Sequence, residues 1–209
     1  MATRYVVKQG DHMTRIASRF GFLTFWPIWD HPDNAGLREL RTNPHVLLPG
    51  DVVVVPDRTQ KSVSLATGRR HVFQLDGAKL SLRIALLDYG FRPTPALDCE
   101  LHVDGIANAR TTDSQGLIAK PIPASSEHGR LLVYETVLPL FIGHLDPVSA
   151  LSGARARLNN LGYEAGESDD PTDAQLRSAL EEFQCDHAAP IDGEMNPVTQ
   201  GLLLQLHGS

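Results

Sequence analysis

The chain has 209 residues, of which 42% are hydrophobic and 21% are charged, and its formal net charge is −6. This composition is typical of a folded protein with one to three small domains. The negative charge argues against nucleic acid as a partner, because nucleic-acid binding needs a basic surface, and against electrostatic attachment to anionic membranes.

Two cysteines, Cys99 and Cys185, lie far apart and form neither a disulfide framework nor a metal-ligand spacing. We therefore expect two unpaired, buried thiols, no metal and no cofactor. The first residues lack the long apolar segment of a secretory signal, and no run is long enough to span a bilayer. We expect synthesis in the cytoplasm without a signal peptide and no membrane insertion.

The first segment, residues 1–58, shows the pattern of a βααβ unit. Tyr5–Val7 is predicted as a strand, and a second helix is predicted from Trp26-Pro27 to about Arg41, with a break near His31-Pro32. Val52–Val55 is predicted as the closing strand. The first helix has an apolar stripe at i, i+3, i+4 and i+7 and should end at a glycine; these positions are Met13, Ile16, Ala17, Phe20 and Gly21.

The second segment, residues 62–144, follows a hydrophilic bridge, DRTQKS, and changes to a period of two. Apolar residues alternate with polar ones, as expected for half-buried antiparallel strands. Asp104-Gly105 and Asp113–Gly116 have turn sequences. We predict an antiparallel β-sandwich of about six or seven strands. The inward positions are Leu80, Leu82, Ile84, Leu86, Cys99, Leu101 and Val103.

The third segment, residues 145–209, is predicted to be a compact unit of three helices. Asp146 is expected to cap the first helix, with Pro147 at its first position. Thr172 with Gln175 has the spacing of a capping box for the second helix, and Asn196-Pro197 should begin the third. The fold class is therefore multidomain α+β.

The motif YVVKQGDHMTRIASRFG, together with NPHVLLPGDVVVVP, resembles the LysM family. This resemblance covers about the first quarter of the chain and implies a βααβ fold that binds glycans containing N-acetylglucosamine, such as peptidoglycan. It places the binding groove between two loops, whose groups could hydrogen-bond the N-acetyl and hydroxyl groups of a sugar. The implied glycan- or partner-binding residues are Gly10, Asp11, His12, Met13, Asn43, Pro44, His45, Val46 and Leu47.

The motifs ARLNNLGY, LRSALEEFQ and PIDGEMNPVTQGLLLQL resemble the peptidoglycan-binding type 1 domain, which is a three-helix unit. The middle segment loosely resembles transthyretin-like and immunoglobulin-like sandwiches. The three segments in one chain resemble proteins associated with type VI secretion and other bacterial contractile injection systems. That likeness implies a spike or effector protein as a partner, and delivery to the periplasm or outside by the injection machine.

Residues that could support catalysis also have simpler interpretations. His31 with Asp33 and His144 with Asp146 could ligate a metal, but helix caps and turns explain both pairs better. No sequence motif for a covalent nucleophile is present, so we predict no catalytic residues. Trp26 and Trp29 could stack on a sugar, although core packing is the better interpretation for at least one of them.

These observations lead to three functional hypotheses. The first is a non-catalytic peptidoglycan-binding adaptor associated with a secretion spike or its effector. The second is a structural adaptor or chaperone that docks proteins and no longer binds glycan. The third is a cell-wall hydrolase whose site lies in the middle segment. Both ends of the chain are expected to present shallow, open binding surfaces.

Overall fold

The structure is a computed structural model that describes residues 2–59, 62–73 and 80–208. It is a mixed α+β chain with antiparallel sheets and a helical C-terminal part, as predicted. Its buried apolar side chains form a cluster within each predicted segment. We call residues 2–58 the N-terminal unit, 80–144 the β unit and 145–208 the helical unit. The exact domain boundaries stay a prediction, and residues 60 and 61 of the bridge lie outside the described residues.

In the N-terminal unit, two strands enclose a run of helices. Strand β1 (Thr3–Val6) pairs antiparallel with β2 (Val52–Val55). Between them lie α1 (Met13–Arg19), α2 (Trp26–Trp29), a 3₁₀ turn (Pro32–Asn34) and α3 (Ala35–Leu40). The predicted second helix is thus divided at His31-Pro32, where its sequence suggested a break.

Helix α1 follows its predicted stripe. Met13, Ile16 and Ala17 are buried in the core of the unit. The ring of His12 caps the helix, because its Nδ1 accepts a hydrogen bond from the Arg15 backbone N–H at 3.3 Å. Gly21 follows the helix with φ +75°, a left-handed conformation that glycine adopts without strain.

Asn34 joins the helical run to the sheet through a fully buried side chain. Its Nδ2 donates to the carbonyls of Ile28 and Val54, both at 2.7 Å, and its Oδ1 accepts from the Val54 N–H at 2.8 Å. The amide therefore satisfies both backbone groups of Val54, as a neighbouring strand would do.

Six strands make up the described part of the β unit. Strand β3 (Leu80–Ala85) pairs with β6 (Leu117–Ile122) in one ribbon. The second sheet has the order β5-β4-β7-β8 and is antiparallel throughout. Its strands are Asp98–Val103 (β4), Ile106–Thr111 (β5), His128–Val133 (β7) and Thr136–Phe141 (β8).

The alternating apolar residues of β3 and β4 face one shared core, as their pattern predicted. Cys99, Leu101 and Val103 are buried together with Leu131, and the apolar side chains of β3 pack against them. A sheet with one covered face gives this alternation of buried and exposed positions.

The helical unit contains α4 (Leu151–Asn160), α5 (Ala174–Asp186) and α6 (Pro197–His207). Their shared core includes Leu158, Leu180, Phe183 and Leu203. Asn196 caps α6 through a hydrogen bond from the Thr199 N–H to its Oδ1 at 2.9 Å, and Pro197 is the first helical residue, both as predicted. No helix among the described residues is long and apolar enough to cross a membrane.

Two predicted helix caps are wrong. Helix α4 begins only at Leu151, and Asp146 instead accepts a hydrogen bond from the Ser152 hydroxyl at 2.6 Å. Helix α5 is capped by Asp173, whose Oδ1 accepts from the Gln175 N–H, rather than by Thr172. At α5 the neighbouring Asp173 offers the same cap chemistry as Thr172, so the sequence pattern does not choose between them. At α4 the N-cap is Ala150, which makes no side-chain cap bond.

A buried arginine fastens the segment before α4 to that helix. Arg157 donates to the carbonyls of Asp146 at 2.8 Å and Gly153 at 2.7 Å. Gly153 allows this approach, because a Cβ at that position would lie 2.1 Å from the Pro147 carbonyl oxygen. The segment that leads out of the β unit is therefore packed directly on α4.

We expect Asn34→Ala to lower the free energy of unfolding of the N-terminal unit by about 2–4 kcal/mol, because it leaves two part-buried backbone groups of Val54 and the buried end of the Ile28 bond without their partner. Both tryptophans lie in this unit, so their fluorescence in a urea titration reports its unfolding. Asn108→Ala, which removes one exposed bond to the Ile106 carbonyl, is the control. Equal midpoints for the two variants would contradict this role of Asn34.

We expect Gly153→Ala to destabilise the helical unit by roughly 1–3 kcal/mol, because the added methyl group overlaps the Pro147 carbonyl. Gly201→Ala is the matched control, since nothing lies within 4 Å of its Cβ position in α6. That change should raise stability by up to about 1 kcal/mol through helix propensity. Urea midpoints from far-ultraviolet circular dichroism measure both effects, and a stabilising Gly153→Ala would refute the close packing.

Candidate functional site

The nine residues predicted to bind glycan or a partner lie on two adjacent loops, Gly10–Met13 and Asn43–Leu47. We call these loops together the loop edge. The Met13 N–H donates to the Pro44 carbonyl at 3.0 Å and so links them. The structure thus brings the predicted residues together, but most are covered. Buried are Gly10, Asp11, His12, Met13, Val46 and Leu47, and half-buried are Asn43, Pro44 and His45.

The residues of the first loop have structural contacts of their own. The Asp11 carboxylate accepts hydrogen bonds from the Tyr5 hydroxyl at 2.6 Å and the Lys8 N–H at 2.9 Å, which closes the turn after β1. His12 caps α1, and Met13 is a core residue. Local folding therefore accounts for each of these side chains.

The second loop is held in a similar way. The Asn43 Oδ1 accepts from the His45 N–H at 2.9 Å, which forms a side-chain turn. Val46 and Leu47 are both more than nine-tenths buried. The role of these residues in glycan binding stays a prediction.

The β unit covers the loop edge through Arg15 of α1, whose side chain is buried. All five N–H donors of its guanidinium are used. Within its own unit Arg15 donates to the Gly10 carbonyl at 2.8 Å. Across the contact it donates to the Glu127 carboxylate at 2.8 Å and to three successive carbonyls, those of Ala124, Ser125 and Ser126, at 3.4, 2.9 and 2.8 Å.

We call this contact between the N-terminal and β units the seam. Gly143 is packed so closely there that a Cβ would lie 2.7 Å from the Gly10 carbonyl oxygen and 3.1 Å from a carbon of the His12 ring. Gln9 adds a hydrogen bond to the His144 carbonyl at 3.1 Å. The expectation of an open groove at the loop edge is therefore wrong for this structure.

A small cavity of about 120 Å³ remains in the seam. His12 and His45 line it from the N-terminal unit, with ring centroids 5.9 Å apart. Among the described residues, His12 Nε2 and His45 Nδ1 are buried without a hydrogen-bond partner. The β unit contributes mainly apolar walls, which include Leu80, Leu82, Ile122 and Ile142.

The electrostatics of the cavity favour neutral imidazoles. Burial, with smaller contributions from His45 and Arg15, lowers the pKa of His12 to about 4. Burial likewise lowers the pKa of His45. A proton on either ring would sit in a mainly apolar environment, where one nitrogen of each ring is buried without a hydrogen-bond partner, so protonation opposes the closed seam.

The helical unit has an open surface instead. A shallow cleft of about 380 Å³ lies between the turn after α4 and one face of α5. Gln175, Ser178 and Glu182 are exposed along this face at helical spacing, and Glu164 faces them from the turn. The cleft therefore combines carboxylate, amide and hydroxyl groups in solvent, which suits a polar ligand.

Hydrogen bonds and aromatic packing hold the turn beside the cleft in place. Asn159 accepts from the Ala165 N–H at 2.8 Å and donates to the Gly166 carbonyl at 3.0 Å. Tyr163 is buried under the turn and stacks on Phe91 of the β unit, with ring centroids 5.6 Å apart. The sequence analysis did not single out this cleft, although the polar positions 175, 178 and 182 repeat along one helix face.

Of the two thiols expected to be buried, Cys99 is buried, but Cys185 is exposed on α5. The other candidate residues have local roles. Trp29 is buried in the core, whereas Trp26 is 53% exposed. His31 caps the 3₁₀ turn by accepting from the Asp33 N–H. The described ranges contain no group of three or more His, Cys, Asp or Glu residues placed to hold a metal ion.

Comparison with known proteins finds a family match in the helical unit. Residues 149–203 match the family described as "Putative peptidoglycan binding domain". The match begins just before α4 and ends within α6, so it includes the cleft. No curated protein and no solved structure matches the chain. The family match therefore supports peptidoglycan as a partner of the helical unit.

Proposed function

We propose that this protein is a non-catalytic adaptor that binds peptidoglycan through its helical unit. The observation that carries the proposal is the family match over residues 149–203. The matched region has its own core, centred on Leu158, Phe183 and Leu203, so the binding unit is structurally complete.

The cleft beside α5 is the surface we assign to the polymer. Its side chains can donate hydrogen bonds to, and accept them from, sugar hydroxyls and amide groups. The carboxylates of Glu164 and Glu182 also suit an amino group of the peptide part of the wall. The surface is shallow and solvated, so we expect modest affinity for a single repeat of the polymer.

The N-terminal loop edge is proposed as a second glycan surface, on the basis of its LysM resemblance. Two weak sites on one chain raise the overall affinity for a polymer, because the second binding event becomes intramolecular. In the closed structure the cleft of the helical unit is open, whereas the loop edge packs against the β unit. We therefore propose that the loop edge contributes to binding only when the seam opens.

The proposed association with a secretion system rests only on the combination of the three segments in one chain. We propose that the protein acts with a contractile injection spike or its effector and holds that cargo near the wall after delivery. Such a role needs binding surfaces and no reacting group.

The closed seam favours a second candidate for the N-terminal unit, which is protein docking. Arg15 recognises three successive backbone carbonyls of a turn, closed by a hydrogen bond from the Ser126 N–H to the Pro123 carbonyl, and a carboxylate, groups that an acidic turn of a partner protein also offers. In that case the N-terminal unit binds a protein instead of a glycan, and the helical unit alone binds the wall.

The test is co-sedimentation of the full chain with purified peptidoglycan sacculi. Ser178→Tyr should weaken binding by about tenfold or more, because the ring fills the cleft on α5. Gln205→Tyr, an equally exposed substitution on α6 outside the cleft, is the matched control and should bind like the native chain.

Native protein that stays in the supernatant would contradict the proposed function. Equal binding by both tyrosine variants would instead place the polymer elsewhere on the molecule. The same samples, filtered and assayed for soluble wall fragments, test the non-catalytic role. Release that grows with protein concentration and time would show a hydrolase.

A further inference from the structure

We propose that the seam is an acid-opened latch, in which the β unit occupies the loop edge of the N-terminal unit and excludes any outside ligand until the two units part. The proposal rests on the proposed function only for the nature of that ligand. The closing and opening of the latch depend on contacts within the chain alone.

The latch has two contacts that hold it closed. Arg15 binds the 124–127 segment with four of its five hydrogen bonds, so parting the units leaves a charged group to be resolvated. Gly143 lies against the Gly10 carbonyl and the His12 ring, two of the residues predicted to bind glycan or a partner. An outside ligand must therefore compete with the β unit.

The groups that respond to acid, His12 and His45, lie beside these contacts. The cavity buries the rings of His12 and His45 against apolar side chains of the β unit, and one nitrogen of each ring lacks a partner among the described residues. When the units part, water reaches both rings and can hydrate the protonated form. Proton binding is consequently stronger in the open state than in the closed one.

The charged groups around His12 do not reverse this direction. Asp11 favours the protonated ring, but its carboxylate is already engaged by Tyr5 and Lys8. Arg15 and His45 oppose protonation. From the β unit, Glu127 is bound to Arg15, and His144 lies near Gly10 on the other side of the contact.

The size of the pH effect on opening follows from the difference between the pKa values of His12 in the closed and open states. The pKa of His12 is about 4 when closed and returns toward its ordinary value of 6.5 when open. The closed state therefore has its full stability relative to the open state above about pH 6.5, and this stability decreases as the pH falls toward 4. For His12 alone, the ratio of open to closed chains should rise roughly 30-fold between about pH 8 and pH 5.

The experiment is amide hydrogen exchange of the full chain, followed at residues 10–13 and 43–47 and corrected for the intrinsic pH dependence of exchange. Gly143→Ala should increase exchange in both loops at about pH 8, because its methyl group cannot fit against Gly10. Gly105→Ala is the matched control, since it has the same positive φ but nothing within 4 Å of its Cβ position.

Acidification of the native chain should raise exchange in the same loops, while the core of α1 stays protected. His12→Ser keeps a helix cap and removes the titrating ring, so most of the acid response should disappear. His207→Gln should keep the response, because His207 has an equally lowered pKa of about 4 but lies in the helical unit.

Equal exchange in Gly143→Ala and Gly105→Ala would overturn the latch, and so would an acid response that survives in His12→Ser. Neither result would affect sedimentation with sacculi through the helical unit, so failure of the latch and failure of the proposed function are distinguishable.

Discussion

The buried guanidinium of Arg15 is the constraint on which the arrangement of the first two units depends. A charged group can leave water only if its donors are satisfied, and here one carboxylate and four carbonyls satisfy all five. Four of these bonds reach the β unit. The position of the β unit over the loop edge, and with it the closure of the predicted groove, follows from this need.

The sequence predicts the parts whose causes are local. The stripe at Met13, Ile16 and Ala17, the break at His31-Pro32 and the alternation in β4 all reappear, because each pattern reports one covered face. The cap at Thr172 fails because Asp173 offers the same chemistry, and the cap at Asp146 fails because α4 begins only at Leu151, after an N-cap, Ala150, that has no capping side chain. Arg15 looks like an ordinary surface residue in the sequence, since its four partners in the β unit are more than a hundred residues away.

In the candidate site, too, the sequence predicts the features with local causes and misses those that depend on tertiary packing. The LysM resemblance assigned the nine residues to two loops, and these loops are adjacent in the structure. The sequence could not show that the β unit packs against Gly10, His12 and His45, which is a tertiary effect. The cleft on the helical unit was missed because polar residues on an exposed helix face are common. Its recognition needed the turn around Tyr163, which places Glu164 opposite α5.

The two ends of the chain are therefore in different states. The helical unit is open to the polymer, and the N-terminal loop edge is closed by the β unit of its own chain.

The most direct test of that account is hydrogen exchange of the full chain at neutral pH, with and without soluble peptidoglycan fragments. The account predicts slower exchange around the turn after α4 and along α5, and no change at residues 10–13 and 43–47. Protection confined to the two N-terminal loops, with the helical unit unaffected, would contradict it.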